Sequence, residues 1–344
     1  MKNFFVADAA SRADDPKQRE FQSAFLVVSK QLRPKRNGGD YLAIVVCDRT
    51  GQIEAKMWDN IGHYVNGFEA DDIVQIKGYV NRFNGRPQLI VQTIARLDAE
   101  GVDFGDFLPK TDKNIDQLWA SLSQTAETIQ QPHLRALLRA FLSDHSFATA
   151  FRQAPAAKTL HHAYIGGLLE HVVSLMALCD LVCRNYPQIN RDLLLTGAFL
   201  HDIGKVHELC YARSFGYSTR GQLLGHMIIE LEMLQQKVAA VPGFPGELKL
   251  LLEHMIISHH GEYEFGSPKL PMFPEALMLH YLDDLDSKME SMRAQLLRDG
   301  GVPGAWTGYN PSLGRPLLSL RKYLEGAGND DAEAEAEAEA ASAE

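Results

Sequence analysis

The sequence predicts a multidomain α and β protein: an N-terminal five-stranded OB-fold β-barrel followed by an all-α helical bundle. Three observations predict it. Residues 20–97 fall into short runs rich in β-branched and aromatic side chains, separated by tight turns. From Ile115 onward, apolar residues recur at helical spacing instead. Ten of the thirteen histidines lie between 161 and 280, inside that helical pattern. A chain of 344 residues is long enough for each domain to bury its own core. The expected boundaries are 1–97 for the barrel, 98–114 for a linker, 115–326 for the helical domain and 327–344 for a disordered tail.

Taken in order, residues 21–32 and 41–47 read as strands, and Asp48-Arg49-Thr50-Gly51 turns the chain into a third at 52–58. A short helix near 61–65 precedes a strand at 72–83, an Asn84-Gly85 hairpin turn and a last strand at 86–94. Five strands with one helix between the third and fourth is the order of an OB-fold. That barrel commonly binds oligonucleotides through strands 2 and 3 and the adjoining loops. Here the first loop carries Lys30, Arg33, Lys35 and Arg36, and the last hairpin carries Arg82 and Arg86. Tyr41, Trp58, Tyr79 and Phe83 lie near those cations in the strand pattern. Cations that follow phosphates and aromatics that take base faces suit single-stranded nucleic acid. Against that reading stand a solvated loop and ordinary barrel-core aromatics.

Residues 98–113 lose periodicity and hold Gly, Pro and Asp, which marks the linker. Helices are expected at 115–129, 133–144, 167–186, 191–206, 225–241, 247–259 and 274–298, with a short one at 317–324. The alternating Ala/Glu tail cannot bury a core. It also skews the charge. The formal net charge is −10, but the last sixteen residues carry seven acidic groups, leaving about −3 for the rest. Overall acidity therefore does not argue against a nucleic-acid partner. Cys47, Cys179, Cys183 and Cys210 include no CxxC pair, so a reducing compartment is expected. No stretch of eighteen uncharged apolar residues occurs, and the first fifteen residues lack a signal-like apolar core, which predicts a cytoplasmic protein with no membrane partner.

A lone helical histidine is usually structural, but the joint pattern is not that of isolated histidines. His171 is followed by the His201-Asp202 doublet, Gly225-His226, Ser258-His259-His260-Gly261 and Leu282-Asp283-Asp284-Leu285-Asp286. Adjacent His and Asp seldom share a buried face unless a cation offsets their desolvation. These residues resemble the HD superfamily of metal-dependent phosphohydrolases. That resemblance implies a His, a His-Asp doublet and a distal Asp gathered around a metal. His226, His259 and His260 resemble the additional ligands of HD enzymes that hold two metals. The barrel followed by HHAYIGGLLEH, HDIGK, GH, SHHG and LDDLD is similar to the YhaM-type 3′→5′ exoribonucleases, over roughly residues 1–325.

What the resemblance implies agrees with the residue types. Imidazole with carboxylate suits Mn²⁺, Fe²⁺ or Co²⁺, with Zn²⁺ or Mg²⁺ as the other candidates, at two ions per chain. Asp202 is the expected bridge, with His171, His201 and Asp283 on one ion and His226, His259 and His260 on the other. Asp283 is chosen over Asp284 and Asp286, although Asp286 lies one turn further on the same face. Lys205 is expected to offset charge on the reacting phosphate, and His162 to touch the phosphate or leaving group. His254 is a candidate for orienting a ligand. Arg315 is a further candidate phosphate contact. The expected activity is exonucleolytic hydrolysis of single-stranded RNA, with single-stranded DNA also a candidate, to nucleoside monophosphates. A phosphohydrolase of small or cyclic nucleotides with a regulatory barrel, and a non-catalytic nucleic-acid adaptor, are the alternatives.

Overall fold

The computed structural model describes residues 2–15, 17, 19–35, 38–98, 104–157, 164–210 and 216–326. Five strands close the N-terminal barrel: β1 (Glu20–Pro34), β2 (Asp40–Asp48), β3 (Gly51–Met57), β4 (Ile73–Phe83) and β5 (Arg86–Arg96). Their order around the barrel is β1-β2-β3-β5-β4. Closure depends on the long first strand serving two neighbours. Residues 20–26 of β1 pair with β4, residues 26–34 pair with β2, and an irregularity between Val27 and Ser29 lets the strand bend between them. Alternate side chains such as Phe25, Val27, Leu42, Ile44, Val46, Ala55, Met57, Ile76 and Leu89 point inward and are buried. A single 3₁₀ turn at Ile61–His63 stands where the short helix was expected.

The N-terminal residues add an unforeseen plug. Phe4 enters the barrel core, α1 (Ala9–Asp14) contributes Ala9 and Ala13 to the same core, and Lys2 forms a buried ion pair with Asp48 at 2.8 Å. On the other side, the expected linker is not detached over its described part. Phe107 and Leu108 pack with Leu26, Cys47 and Ile73 of the barrel, and Lys110 bridges to Ile165 ahead of the helical domain.

The helical domain is built from α2 (Ile115–Glu127), α3 (Pro132–Leu142), α4 (His145–Gln153), α5 (Gly167–Asn185), α6 (Arg191–Leu200), α7 (Lys205–Glu208), α8 (Thr219–Ala239), α9 (Gly246–Ser258) and α10 (Pro274–Arg298). Side chains of Asn114, Asp144, Asn190 and Ser218 accept the free N–H groups at the starts of α2, α4, α6 and α8. Every residue of α6 from Leu193 to Leu200 is buried, so this helix is the domain's axis, and the others pack around it. Its C-terminal end delivers His201 and Asp202 to the interior. Two-stranded ribbons, β6 (Leu209–Cys210) with β7 (Gly216–Tyr217) and β8 (Trp306–Asn310) with β9 (Arg315–Leu318), accompany the helices. Among the described residues, no helix is long and apolar enough to cross a membrane.

Three expected elements differ. The helix expected over 191–206 ends at Leu200, and residues 201–204 form a turn before α7, so the His-Asp doublet lies at a helix end. The helix expected at 225–241 is preceded by a further helical stretch from Thr219, capped by Ser218, and the non-helical Gly225 puts a kink between the two parts of α8. The helix expected at 317–324 is instead strand β9 followed by helix from Leu320, and this places Arg315 on a hairpin rather than in a loop. Barrel and helical domain meet where Arg86 pairs with the buried Asp299 at 3.0 Å, and Asp299 also accepts from the Gly308 N–H.

Asp144 joins two levels of this fold. It caps α4 and binds Lys237 of α8 at 2.7 Å, and the Lys237 ammonium together with the Phe147 N–H lowers its carboxyl from 3.8 to about 2. Replacing Asp144 with Ala should destabilise the chain by about 1 kcal/mol at neutral pH. Because the folded group is the stronger acid, its contribution is complete above about 4 and disappears as pH falls through about 2. The gap between wild-type and variant urea midpoints should therefore narrow below pH 4. A gap that stays constant down to pH 2 would contradict this.

Candidate metal centre and nucleic-acid face

Five elements aim side chains at one interior point. α5 supplies His171, the end of α6 supplies His201 and Asp202, α8 supplies His226, the end of α9 supplies His259 and His260, and α10 supplies Asp283. One ligand atom each from His171, His201 and Asp283 lies within 4.8 Å of the others, and the same holds for His226, His259 and His260. Asp202 stands between the two groups. Its Oδ2 is 3.3 Å from His201 Nε2 and 3.8 Å from His171 Nε2, whereas its Oδ1 is 3.7 Å from His226 Nε2 and 4.0 Å from His259 Nε2. The structure thus brings these seven residues close to one another, six of them as two trios with Asp202 between.

The hydrogen bonds fix which nitrogen each ring presents. His171 Nδ1 lies 2.8 Å from Asp286 Oδ2, His201 Nδ1 2.9 Å from the Ala198 carbonyl, and His226 Nδ1 3.2 Å from Glu208 Oε1. His259 and His260 Nδ1 face the carbonyls of Ile256 at 2.7 Å and Phe265 at 2.9 Å. All five partners only accept, so each Nδ1 must donate, and a neutral ring then turns its Nε2 lone pair inward. His171 and His201 bring those lone pairs to 3.2 Å of each other, an arrangement a cation between them resolves. His226 Nε2 is buried with no hydrogen-bond partner among the described residues. Converging imidazole lone pairs and carboxylates are a donor set that fits a divalent transition metal.

The charges are coupled. Burial alone would raise Asp202 and Asp283, but Lys205 and His201 hold Asp202 well below the usual carboxylate range, and His201 and His171 do the same for Asp283. Burial would likewise lower His171 and His201, yet the surrounding carboxylates, Asp283 and Asp286 for the first and Asp202 and Asp283 for the second, push them up. A metal ion and a proton compete for that place. His259 and His260 are pushed down, by burial and then by neighbouring imidazoles, so both rings stay neutral.

Local sequence explains the convergence. At Gly204 an added Cβ would lie 2.4 Å from the His226 carbonyl oxygen and 2.9 Å from Glu230 Cγ. Only glycine lets the 201–204 turn lie against α8, and that contact sets Asp202 beside His226. Gly225 has φ 70° and ψ 164°, a conformation reserved for glycine, and the break it makes points the His226 N–H at Glu208. Glu208, Asp286 and His280 are positioning residues that the sequence reading did not assign. Asp286 holds the far nitrogen of His171 and also takes the Ser174 hydroxyl at 2.6 Å, while His280 Nδ1 holds the His259 carbonyl at 2.9 Å. Asp286 could be found from its one-turn spacing to Asp283, whereas Glu208 has no periodic signal.

Other expected residues fall in various places. Lys205 binds Asp202 Oδ2 at 2.6 Å, within reach of the centre. His254 is not part of it, because its Nε2 accepts the Met272 N–H at 3.0 Å and its ring lies against Phe273. His162, Arg36 and the tail from 327 lie outside the described residues. On the barrel, Tyr41 and Trp58 stack at 4.6 Å, and the Lys56 ammonium lies 4.9 Å from the Phe83 ring, 5.9 Å from Trp58 and 6.0 Å from Tyr41. Trp58 is 37 % and Phe83 57 % exposed, so this aromatic platform faces solvent, with Lys56 a cation the sequence reading passed over. Arg33 and Arg315 are exposed and form no ion pair among the described residues. Lys30, Arg82 and Arg86 instead pair with Glu69, Asp14 and Asp299, and Lys35 binds the Trp58 carbonyl and lies 3.6 Å from Asp59.

Comparison with known proteins gives these two regions their family. A model of the OB-fold nucleic acid binding domain matches residues 26–97, and the HD domain model matches residues 168–288. The HD domain implies dependence on a divalent metal, and the His/Asp groups described above could hold one. The 3′-5′ exoribonuclease YhaM of Geobacillus sp. (strain WCH70) is 38% identical over 290 residues, covering 82% of this chain and 88% of the relative. YhaM of Bacillus velezensis is 37% identical over 82% of this chain and 89% of its own length, and that of Bacillus subtilis is 37% identical over 79% and 85%. The chain belongs to the YhaM 3′-5′ exoribonuclease family, hydrolases that join an OB-fold to an HD domain.

Proposed function

We propose that this chain is a metal-dependent exoribonuclease that shortens single-stranded RNA from its 3′ end, releasing nucleoside monophosphates, and that it accepts single-stranded DNA as a second substrate. One observation carries the reading: a carboxylate, Asp202, turns one oxygen to each of two imidazole groups in a chain that also carries an exposed aromatic platform. The 3′→5′ direction and the choice of RNA come from the relatives.

In this reading His171, His201 and Asp283 would hold one ion, and His226, His259 and His260 would hold a second, with Asp202 available to either. Mn²⁺, Fe²⁺ or Co²⁺ is favoured over Zn²⁺ or Mg²⁺. Such ions supply a water acidic enough to attack phosphorus and offset charge on the phosphate. Lys205 fixes the Asp202 carboxylate, and its partly buried ammonium would offset the charge that non-bridging phosphate oxygens gain in the transition state. His162 is assigned to the phosphate or leaving group. Asp286, Glu208 and the backbone carbonyls hold the rings, so each presents Nε2 toward the centre.

The barrel holds the strand. Tyr41, Trp58 and Phe83 take base faces, and Lys56, Arg33, Lys35 and Arg36 follow phosphates, with Arg315 a further contact. Lys30, Arg82 and Arg86 contribute less, since each already neutralises a carboxylate. A cytoplasmic setting suits such a substrate.

Purified protein with Mn²⁺ should shorten a 5′-labelled single-stranded RNA stepwise, leaving a ladder of labelled products. An intact label alongside rapid cleavage of a small nucleotide would overturn the exonuclease reading. The Trp58→Ala/Phe83→Ala double variant should raise KM for RNA, each lost base stack being worth about 1–3 kcal/mol. Turnover of a small phosphodiester should be unchanged, and equal losses on both substrates would contradict the platform's role. Asp286→Asn should weaken metal affinity about 10- to 100-fold, as loss of a ligand's outer partner does. Wild-type affinity in a metal titration would show that Asp286 does not position His171.

A further inference from the structure

Glu230 lies one turn beyond His226 on α8 and is wholly buried. Its Oε1 accepts the Gly204 N–H at 3.2 Å, but its Oε2 has no hydrogen-bond partner among the described residues. Other buried glutamates of the helical domain are satisfied: Glu170 by Lys113, Glu208 by His226, Glu275 by the Asn190 N–H and Glu290 by Arg293. A buried carboxylate oxygen with no donor is disfavoured unless a cation meets it. His226 Nε2 is likewise buried without a hydrogen-bond partner among the described residues.

Ligand atoms of Asp202, His226 and Glu230 lie within 4.8 Å of one another. Atoms bound at about 2.1 Å to one ion stand at most about 4.2 Å apart, so only tenths of an ångström separate this trio from coordination. His226 has one free nitrogen, and a ring nitrogen binds one ion. The trio therefore describes the same position as His226, His259 and His260. A structural role for Glu230 as the acceptor for Gly204 needs only Oε1 and leaves Oε2 unexplained.

We propose that Glu230 is a direct ligand of the ion held by His226, His259 and His260, giving that position three imidazoles and two carboxylates. The inference rests on the metal reading of that trio. Five protein ligands exceed the tetrahedral four of structural zinc and suit a six-coordinate ion such as Mn²⁺. Helical spacing makes the arrangement possible, since His226 and Glu230 are four residues apart and share a face.

The test is a Mn²⁺ titration of the full-length chain after chelator treatment, by calorimetry, with metal content measured after dialysis. Glu230→Gln keeps the acceptor for Gly204 but removes the charge. It should leave binding at the His171, His201 and Asp283 position intact, weaken the other position at least tenfold and shrink the Mn²⁺-induced rise in Tm. Wild-type affinity at both positions in Glu230→Gln overturns the proposal while leaving the metal reading standing. A wild-type chain that binds no Mn²⁺ overturns both. If metal-free Glu230→Gln loses its helical circular dichroism, Glu230→Asp, which retracts the carboxylate, gives the same comparison: weaker binding supports the proposal and unchanged binding overturns it.

Discussion

The structure depends on a carboxylate with nowhere to hide. Asp202 is buried among four imidazoles and one ammonium, with an oxygen turned toward each half of the centre. In water such a group would be indifferent to its neighbours; inside a protein it dictates them. Lys205 meets part of its charge, and the converging imidazole nitrogens leave a place that a cation completes. The five elements that reach this point are held there by the apolar packing of α5, α6, α8, α9 and α10, so core and centre are one construction.

Precision comes from small features at helix ends. α6 is buried on every side from Leu193 to Leu200 and lies at the domain's middle, so the residues that follow it emerge in the interior. Gly204 then allows the next turn to touch α8, and Gly225 breaks α8 just before His226. Each ring is held by a hydrogen bond through Nδ1, which leaves Nε2 committed to the centre before any ion arrives. This preorganisation suits phosphoryl chemistry, in which positioning and charge provide most of the catalysis.

Much of this was legible in the sequence, and the exceptions have physical reasons. The barrel showed itself through two-residue alternation and tight turns, and the bundle through helical spacing. The seven residues that converge stood out in the sequence because unusual residue types recur in a family's order. Periodicity could not locate the end of α6, since an apolar run continues through Ile203 and Val206 into the turn and α7. It misread 317–318 as helix because a short apolar run does not distinguish strand from helix. Partners such as Glu208 and His280 act through one hydrogen bond each and leave no pattern. Arg82 and Arg86 read as free cations because their acidic partners, Asp14 and Asp299, are far away in sequence.

If Asp202 links two ions, their electrons must sense each other through it. The most direct measurement is electron paramagnetic resonance of the Mn²⁺-loaded chain beside its Asp202→Asn variant. The account predicts a spin-coupled pair in the wild type that gives way to isolated Mn²⁺ in the variant. An isolated six-line spectrum in the wild type, at full metal loading, would contradict it.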